Sequence, residues 1–451
     1  MAFTTLSFIF VFLPIAVLLY FLVPAKYSKT KDWILIFLSL VFYGWGDAKA
    51  VPVLLASLLF NYFTGIEIAY FENQGNSKMK KIMLMECIGV NALILGIFKY
   101  TTLAMPVGIS FYTFSALSYV ADIYMDKVEE KPSFRESALY MVFFPKLVSG
   151  PIVKFRDFKR DENRAFDKNR LFQGSALFVT GMFKKVLIAD QLGAVFNQVQ
   201  AMDNMSFATA WLGMIFYSFQ LYFDFSGYSD MAIGIGKIFG FEIDKNFDHP
   251  YISKNISEFW RRWHITLGGW FKEYVYIPLG GNRCSKEINI RNLFVVWLLT
   301  GIWHGSSLNF VIWGLYHGAF VILEKHVIKD RFDKVPSVIR ILICDFIVFV
   351  GWIFFFSPDL GSAIRWIGNL FGIGASGSLK TSFYLLYSNL VILIIAVLAS
   401  GEVLQRVSKV LFDRKDKKHF YFGVAVYVIL IIFAISKMVA STYSSFLYFK
   451  F

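Results

Sequence analysis

The sequence predicts an all-α, polytopic integral membrane protein. Of its 451 residues, 57% are hydrophobic and only 17% are charged, whereas soluble domains carry about 25% charged residues. Apolar runs of about 18 residues or more recur along the chain, and each is long enough to cross roughly 30 Å of hydrocarbon. Membrane-spanning strands would instead show short alternating segments. The spanning elements are therefore predicted to be helices.

About eleven spanning helices are predicted, in one domain that covers residues 1–451. No internal repeat or Pro/Gly/Ser-rich linker divides the chain. The first apolar run lacks a basic segment before it and a small-residue cleavage site after it, so we interpret it as a retained span. The predicted spans are residues 5–24, 32–45, 51–71, 82–100, 173–195, 207–225, 289–304, 307–324, 339–357, 382–400 and 420–440.

Three further segments are apolar but unlike ordinary spans. Residues 106–124 and 138–153 are interrupted by polar residues or proline, and such segments survive at membrane depth only beside protein or water. We expect both to be re-entrant and to line a cavity. In residues 246–283, Ser257 and Glu258 predict a helix start. One amphipathic helix would then place Trp260, His264 and Leu267 on a single stripe.

The net charge of +13 follows the alternation that sets membrane orientation. Residues 26–31, 78–81, 325–340 and 406–418 are basic. We expect these stretches to lie in the cytoplasm and the N-terminus to lie outside. Nucleic acid is not an expected partner. The three cysteines have no metal-ligand spacing, so no metal site is predicted. A Walker loop and a dinucleotide fingerprint are also absent from the sequence, so no bound cofactor is predicted.

Two histidines lie in the apolar stretch 298–318. His304 stands in Trp303-His-Gly-Ser-Ser, where glycine and serines loosen a helix and admit polar groups. A neutral, desolvated imidazole takes a proton from a hydroxyl, which suits a general base in acyl transfer. A proton relay in a transporter would have the same features. His317 is expected to be a core histidine bonded to a carbonyl, and Asp224 to pair with a buried Lys or Arg.

Four motifs then occur in order: GPIVKFRDF (150–158), YFDFSGYSDMAIG (222–234), EFWRRWHITL followed by YIPLGGNR (258–283), and WHG followed by NFVIWGLYHG (303–318). Together they resemble the membrane-bound O-acyltransferases of the alginate O-acetylation type. The closing SSFLYFKF is also similar to that group, and the resemblance covers nearly the whole chain.

This resemblance implies helices around a central tunnel, where an acyl group from a cytoplasmic thioester meets an acceptor from outside. His304 matches the catalytic histidine, and His264 matches a second histidine that faces the same tunnel. The implied activity is transfer of an acetyl group, with acetyl-CoA as donor, for O-acetylation of an extracellular or cell-wall polysaccharide. The implied location is the cell membrane, and the implied partner is an extracytoplasmic, hydrolase-like protein. Candidates that contact substrate or line the tunnel are Trp303, Asn309, His317, Arg261, Arg262 and Asp224.

Two alternatives remain open at this stage. One is a D-alanyl transferase for teichoic acid that takes its acyl group from a carrier protein. The other is a proton-coupled exporter of a glycan or lipid, in which the histidines relay protons; it would predict inverted sequence halves, which are not found. The arginines at 261 and 262 either attract an anionic donor or only anchor the chain at the cytoplasmic face.

Overall fold

The structure is a computed structural model that describes residues 2–128, 130–161, 164–403, 406–407, 410, 417–440 and 446–447. In these residues the regular structure is helical, and β-type pairing is limited to two isolated bridges. The predicted all-α class is therefore confirmed for the described part of the chain. Much of the basic stretch 406–418 and most of the closing segment 444–451 lie outside the described residues.

The N-terminal part of the chain forms eight α-helices, preceded by a π-helical turn at Phe8–Phe12. Local sequence explains where several of them begin. Pro52 stands in the first turn of one helix, where a missing N–H costs little. A Ser133–Glu136 capping box starts another. These helices are α1 (Leu13–Leu22), α2 (Ser28–Asp47), α3 (Val51–Asn73), α4 (Ser77–Tyr100), α5 (Ile109–Tyr124), α6 (Phe134–Val142), α7 (Phe144–Leu147) and α8 (Lys168–Phe183).

The described C-terminal part contains ten more α-helices. Side chains of Asn255, Ser285 and Ser307 accept hydrogen bonds from backbone N–H groups at the start of three of them. The helices are α9 (Asp190–Gln200), α10 (Phe207–Ile238), α11 (Ile256–Arg262), α12 (Ile265–Phe271), α13 (Lys286–His304), α14 (Leu308–Leu323), α15 (Ser337–Phe356), α16 (Leu360–Leu370), α17 (Leu379–Ser400) and α18 (Lys417–Ala440).

The described chain divides into two compact units. The first contains the described residues up to 181 together with 228–245, and the second contains 182–227 and the described residues of 246–447. Helices α8 and α10 contribute residues to both units. The single domain over residues 1–451 stays a prediction.

Each of the eleven predicted spans coincides with helical chain, but fewer helices qualify as spans by length and apolarity. Six such candidates occur in the described residues, and the count of about eleven is not confirmed. The N-terminal segment Phe8–Leu22 is apolar but shorter. The six candidates are Ser28–Asn73, Ser77–Tyr100, Lys168–Gln200, Ser337–Phe356, Leu379–Ser400 and Lys417–Ala440.

The interruption expected within residues 106–124 is not found. Residues Ile109–Tyr124 form the unbroken helix α5, and residues 106–108 lie before it. Asp126, just after α5, lies 3.1 Å from the ammonium of Lys80 at the start of α4. Helix α5 therefore returns to the end of the first unit from which α4 departs, instead of leaving and re-entering on one side. Its 16 residues reach about 24 Å, and most of them are buried.

Residues 138–153 behave as predicted for a broken, buried segment. Helix α6 ends at Val142, the chain turns at Phe143, and the short α7 follows. Arg135 before the segment and Arg160 after it both donate to the Asp32 carboxylate, at 3.0 and 3.3 Å. The segment therefore leaves and returns to the same end of the first unit.

In the second unit, glycines bring α13 and α14 into close contact. A Cβ added to Gly301 would lie 2.6 Å from the carbonyl oxygen of Phe310, and one on Gly314 would lie 2.5 Å from that of Trp297. Small residues allow such close backbone approach between membrane helices. The resulting helical hairpin holds His304 at its tip.

Candidate active site

His304 is the last residue of α13, where the chain turns toward α14. Gly305 follows in extended conformation, and the Ser307 side chain accepts a hydrogen bond from the Asn309 backbone N–H. A Cβ at position 305 would lie 2.2 Å from the Phe310 ring, so only glycine fits this turn. The predicted loosening of the helix after His304 is confirmed. The His304 side chain is buried.

The prediction of one continuous helix through His264 is wrong. Helix α11 ends at Arg262, Trp263 is extended, and His264 takes a left-handed conformation (φ 47°, ψ 51°) before α12 begins. Left-handed backbone is uncommon outside glycine and occurs disproportionately at functional sites. His264 is therefore held on a break between two short helices and not on the stripe of one helix.

A short antiparallel pairing causes this break. The Asp248 N–H donates to the Arg262 carbonyl at 2.9 Å, and the Ile265 N–H donates to the Asn246 carbonyl at 2.9 Å. Phe247 and Trp263 form the bridge between these two bonds. Because the paired carbonyls and N–H groups cannot also complete a helix, residues 262–265 leave the helical path.

Asn246 also fixes the orientation of the His264 ring. Its side-chain oxygen accepts from the Thr266 N–H (3.3 Å) and the Thr266 hydroxyl (2.9 Å), and it lies 3.1 Å from Nδ1 of His264. A backbone N–H can only donate, so the atom at the centre of these contacts is an acceptor. Nδ1 of His264 therefore carries the hydrogen, and Nε2 of the neutral ring carries the lone pair.

The His304 ring has the same tautomer for a similar reason. Its Nδ1 lies 2.8 Å from the carbonyl oxygen of Thr300, one turn earlier in α13. A carbonyl only accepts, so Nδ1 carries the hydrogen here too. Both rings consequently present Nε2 as a proton acceptor when they are neutral.

Both histidines line one cavity of about 490 Å³ in the second unit. Its buried end is formed by the two rings with Trp263 and Trp313, whereas Arg261 and two lysines at its other end are exposed. Further wall residues are mostly apolar, and they include Trp260, Leu267, Phe271, Leu293, Val296 and Trp297. The cavity therefore runs from a cationic opening to a buried, aromatic end.

Burial and the nearby His304 ring lower the pKa of His264, which lies outside the six candidate spans. The Phe225 ring packs edge-on against the His264 ring, with ring centroids 4.7 Å apart. The low pKa keeps this imidazole neutral at physiological pH. A neutral imidazole at the end of an apolar cavity accepts a proton from a bound hydroxyl.

The other residues singled out from the sequence occupy different surroundings. Of the two arginines, only Arg261 lines the cavity, while Arg262 forms an ion pair with Glu258 at 2.9 Å. Trp303 packs edge-on against the His304 ring with centroids 4.6 Å apart. The Asn309 amide donates to the Ser357 carbonyl at 2.9 Å. Neither Trp303 nor Asn309 is part of the cavity wall as described.

Asp224 forms the buried ion pair that its sequence context suggested. The Lys185 ammonium lies 2.6 Å from one oxygen of its carboxylate, and the Leu447 N–H donates to the other at 2.8 Å. Lys185 also pairs with Asp190 at 2.7 Å. Among the described residues, Asp224 therefore stabilises the packing of α10, and it does not line the cavity.

The expected hydrogen bond from His317 to a carbonyl is not formed. Neither ring nitrogen has a hydrogen-bond partner in the described part of the chain. The ring instead lies among tryptophans, with its centroid 4.9 Å from that of Trp260 and 5.4 Å from that of Trp313. Gly351 provides the space, since a Cβ there would lie 2.3 Å from Nε2. His317 fills the core behind the cavity.

Residues 113–357 match the sequence model of MBOAT, the membrane-bound O-acyltransferase family. The chain belongs to this family. The matched range contains both histidines and the whole cavity wall, so the described site lies inside the family's common region. The protein is accordingly an acyltransferase and a multi-pass membrane protein.

Related O-acyltransferases with curated names support the same assignment. The chain is 36% identical over 397 residues to the probable alginate O-acetylase AlgI of Pseudomonas syringae pv. tomato, covering 83% of this chain and 76% of that protein. It is 37% identical to a peptidoglycan O-acetyltransferase of Helicobacter pylori, covering 82% and 80%. A teichoic acid D-alanyltransferase of Bacillus subtilis is 31% identical, but the match covers 50% of this chain and 60% of that protein.

Several residues of this O-acyltransferase site are not identified by the sequence alone. Asn246 lies 18 residues before the histidine it orients, and Thr300 acts through a main-chain carbonyl that any residue possesses. Lys272 and Lys325 look like ordinary charged flanks in the sequence, yet both line the cavity opening. Only the fold brings them to one site.

Substitutions of Asn246 test whether this residue positions the His264 ring or only packs in the core. Asn246→Asp places a carboxylate beside Nδ1 of His264, which raises the pKa of that ring. The acid limb of the rate-versus-pH profile should then move to higher pH, because the imidazole becomes protonated sooner on acidification. Asn246→Ala should lower the acyl-transfer rate about tenfold through loss of ring orientation.

The matched control is Asn309→Ala, since Asn309 is an equally buried amide that lies off the cavity wall. It should lower the thermal midpoint without moving the pH profile. Rates over a pH series, normalised to folded protein, make the comparison. An unshifted profile for Asn246→Asp would show that this residue does not control the protonation of His264.

Proposed function

We propose that this O-acyltransferase moves an acetyl group from acetyl-CoA, on the cytoplasmic side of the cell membrane, to an extracellular or cell-wall polysaccharide. The observation that carries the proposal is the cavity that joins a cationic opening to two buried histidines. The phosphates of acetyl-CoA suit the cations at 261, 272 and 325. Relatives named as O-acetylases match over most of the chain.

His304 is the proposed general base. Its Nε2 accepts the proton of the acceptor hydroxyl while the hydroxyl oxygen attacks the thioester carbonyl carbon. The C–O ester bond forms, the C–S bond breaks, and the CoA sulfur leaves with the proton that His304 returns. The alternative role, in which Nε2 itself carries the acetyl group briefly, uses the same atom and the same tautomer.

His264 shares the proton with His304 in this proposal. Because its Nδ1 hydrogen is directed to Asn246, the neutral ring has no N–H left to polarise the thioester carbonyl. Its Nε2 is a second acceptor at the same buried end of the cavity. This geometry favours proton sharing over orientation of the thioester.

An extracytoplasmic, hydrolase-like partner is proposed to complete transfer to the polymer. A polysaccharide outside the cell is far larger than a cavity of about 490 Å³, so only a small acceptor group enters the site. A partner that takes the acetyl group outside the membrane solves this size problem.

A D-alanyl transferase is the second candidate function. The relative with that name matches only half of this chain, whereas the O-acetylating relatives match more than four fifths. This difference favours acetyl transfer. Membership in a family of transferases also disfavours the proton-coupled exporter.

We propose that all eleven predicted segments cross the membrane and belong to one domain. Helices α2 and α3 are long enough to cross separately within Ser28–Asn73. Phe8–Leu22, α10, α13 and α14 supply the other segments beyond the candidate spans. Helix α5 would add one shorter crossing. The basic loops then lie in the cytoplasm by the positive-inside rule.

The donor assignment predicts a specific kinetic effect. Arg261→Ala combined with Lys272→Ala should raise the KM for acetyl-CoA about tenfold with little change in kcat, because both cations stand at the cavity opening. Release of free CoA thiol by the purified protein, supplied with acetyl-CoA and a small hydroxyl acceptor, gives both constants. A protein that releases no CoA from acetyl-CoA, yet accepts D-alanine from a carrier-protein thioester, would refute the proposed function.

Arg262→Ala is the matched control, since this neighbouring arginine pairs with Glu258 and lies off the cavity wall. Its KM should equal that of the unmodified protein. Equal increases in KM for the two arginine changes would mean that general surface charge, and not the cavity opening, attracts the donor.

A further inference from the structure

A second cavity, of about 360 Å³, lies in the first unit. Two short stretches of backbone form its walls: the Asp161 N–H donates to the Gly240 carbonyl at 2.9 Å, and the Glu242 N–H donates to the Lys159 carbonyl at 3.2 Å. These bonds fix the spacing of the side chains around the opening. The ionic lining residues are Lys159, Arg160, Asp161, Arg170, Lys237 and Glu242.

The lining contains four cations and two carboxylates, and not every cation is neutralised. Arg170 pairs with Asp161, and the other arginine is bound by Asp32 and Glu136. The ammonium groups of Lys159 and Lys237 form no ion pair with a carboxylate in the described part of the chain. Two cationic donors are therefore available to an anionic ligand.

Gly240 is needed for the close arrangement of the arginines. It has φ +84°, and a Cβ there would lie 2.8 Å from Nη1 of Arg170 and 3.2 Å from Cγ of Arg164. Glycine thus allows the side chains of Arg170 and Arg164 to lie directly against the backbone. Contacts with the fold therefore hold the arginines beside this cavity in place.

The cavity lies where apolar helices end. Candidate spans begin at Ser28 and Lys168, and α10 ends at Ile238, one residue after the lysine in the cavity lining. Because an apolar span crosses the hydrocarbon core, its ends lie near the headgroups of the bilayer. A bilayer that these spans cross would therefore have its headgroups beside the cavity.

We infer that this cavity binds the phosphate of an anionic phospholipid headgroup, with Lys159 and Lys237 as the direct cationic donors. Its volume suits a small polar headgroup, its charge suits a phosphodiester, and its depth places it beside lipid phosphates. A soluble phosphate compound shares this chemistry but would not depend on a bilayer or an acyl chain. The inference is independent of the acetyl-transfer proposal and concerns a separate set of residues.

The test measures phospholipid binding to the delipidated full chain in detergent by native mass spectrometry. Phosphatidylglycerol should bind more tightly than zwitterionic phosphatidylcholine. Lys159→Ala with Lys237→Ala should weaken phosphatidylglycerol binding about twentyfold, as expected for two lysines near anionic lipid. Lys159→Arg with Lys237→Arg keeps both charges and should retain binding, which separates charge from folding.

Lys78→Ala with Lys81→Ala is the matched control. These two exposed lysines also lie at the start of a candidate span in the first unit, but they do not line the cavity. This pair of changes should leave phosphatidylglycerol affinity unaltered. Equal losses from the two alanine pairs would overturn the inference. Displacement of the lipid by inorganic phosphate or glycerol 3-phosphate would also overturn it, by assigning the cavity to a soluble phosphate.

Discussion

Replacing His304 by alanine is expected to lower acetyl transfer by about two to four orders of magnitude, the usual effect of removing a general base. The change removes the Nε2 acceptor at the buried end of the cavity, on a ring that the Nδ1–H bond to the Thr300 carbonyl holds in place. It keeps the close glycine contacts that join α13 and α14, and it removes the ring contact between His304 and Trp313 of α14. Polymer-bound acetate in cells that carry only this variant gives the result.

A loss of folding would mimic this effect, so the variant needs a second histidine as a control. His326→Ala removes a ring that bonds to Asn289 at 3.0 Å and lies outside the cavity wall. It should retain acetylation, and both variants should insert in membranes at normal levels. Near-normal acetylation with His304→Ala would exclude His304 as the base or the acyl carrier.

The second large effect is expected at His264, where substitution should lower the transfer rate about tenfold to a hundredfold. The loss is smaller than at His304 because water replaces a proton-sharing group better than it replaces the primary base. Alanine at this position adds a backbone penalty, since the residue is left-handed with φ 47°. The rate change in His264→Ala therefore combines chemistry and strain.

His264→Asn separates these two contributions. Asparagine tolerates left-handed backbone better than most residues, so this variant should keep the thermal midpoint close to that of the unmodified protein. Its transfer rate should nevertheless fall about tenfold, because the imidazole is missing. A His264→Asn protein with full activity would show that the position requires a backbone shape and not an imidazole.

The sequence predicts those features of the fold that are determined by residues close together in the chain. Apolar runs predicted the helical class and placed helices at all eleven segments, because a span is defined by the composition of consecutive residues. The break after His304 was equally local, since Gly305 and Ser307 lie next to it. The family followed from motifs that are contiguous in the chain.

Predictions failed where residues that are distant in the sequence determine the local structure. The helix expected through His264 has suitable periodicity, but backbone pairing with residues 246–248 takes its hydrogen bonds. Residues 106–124 looked interrupted, yet α5 is continuous over Ile109–Tyr124, and the contact of Lys80 with Asp126 shows that α5 ends beside the start of α4. His317 lacks its expected carbonyl because four tryptophan rings and the Tyr316 ring surround it.

By itself the sequence determined an all-helical membrane protein of the O-acyltransferase family and named two histidines for its site. Only the tertiary structure decided which ring nitrogen of each histidine accepts a proton and that Arg261 rather than Arg262 reaches the cavity. The physical reason is that the hydrophobic pattern that predicts a spanning helix lies in consecutive residues of the chain. A tautomer or a cavity wall instead depends on hydrogen-bond partners and packing contacts that folding brings together from distant positions.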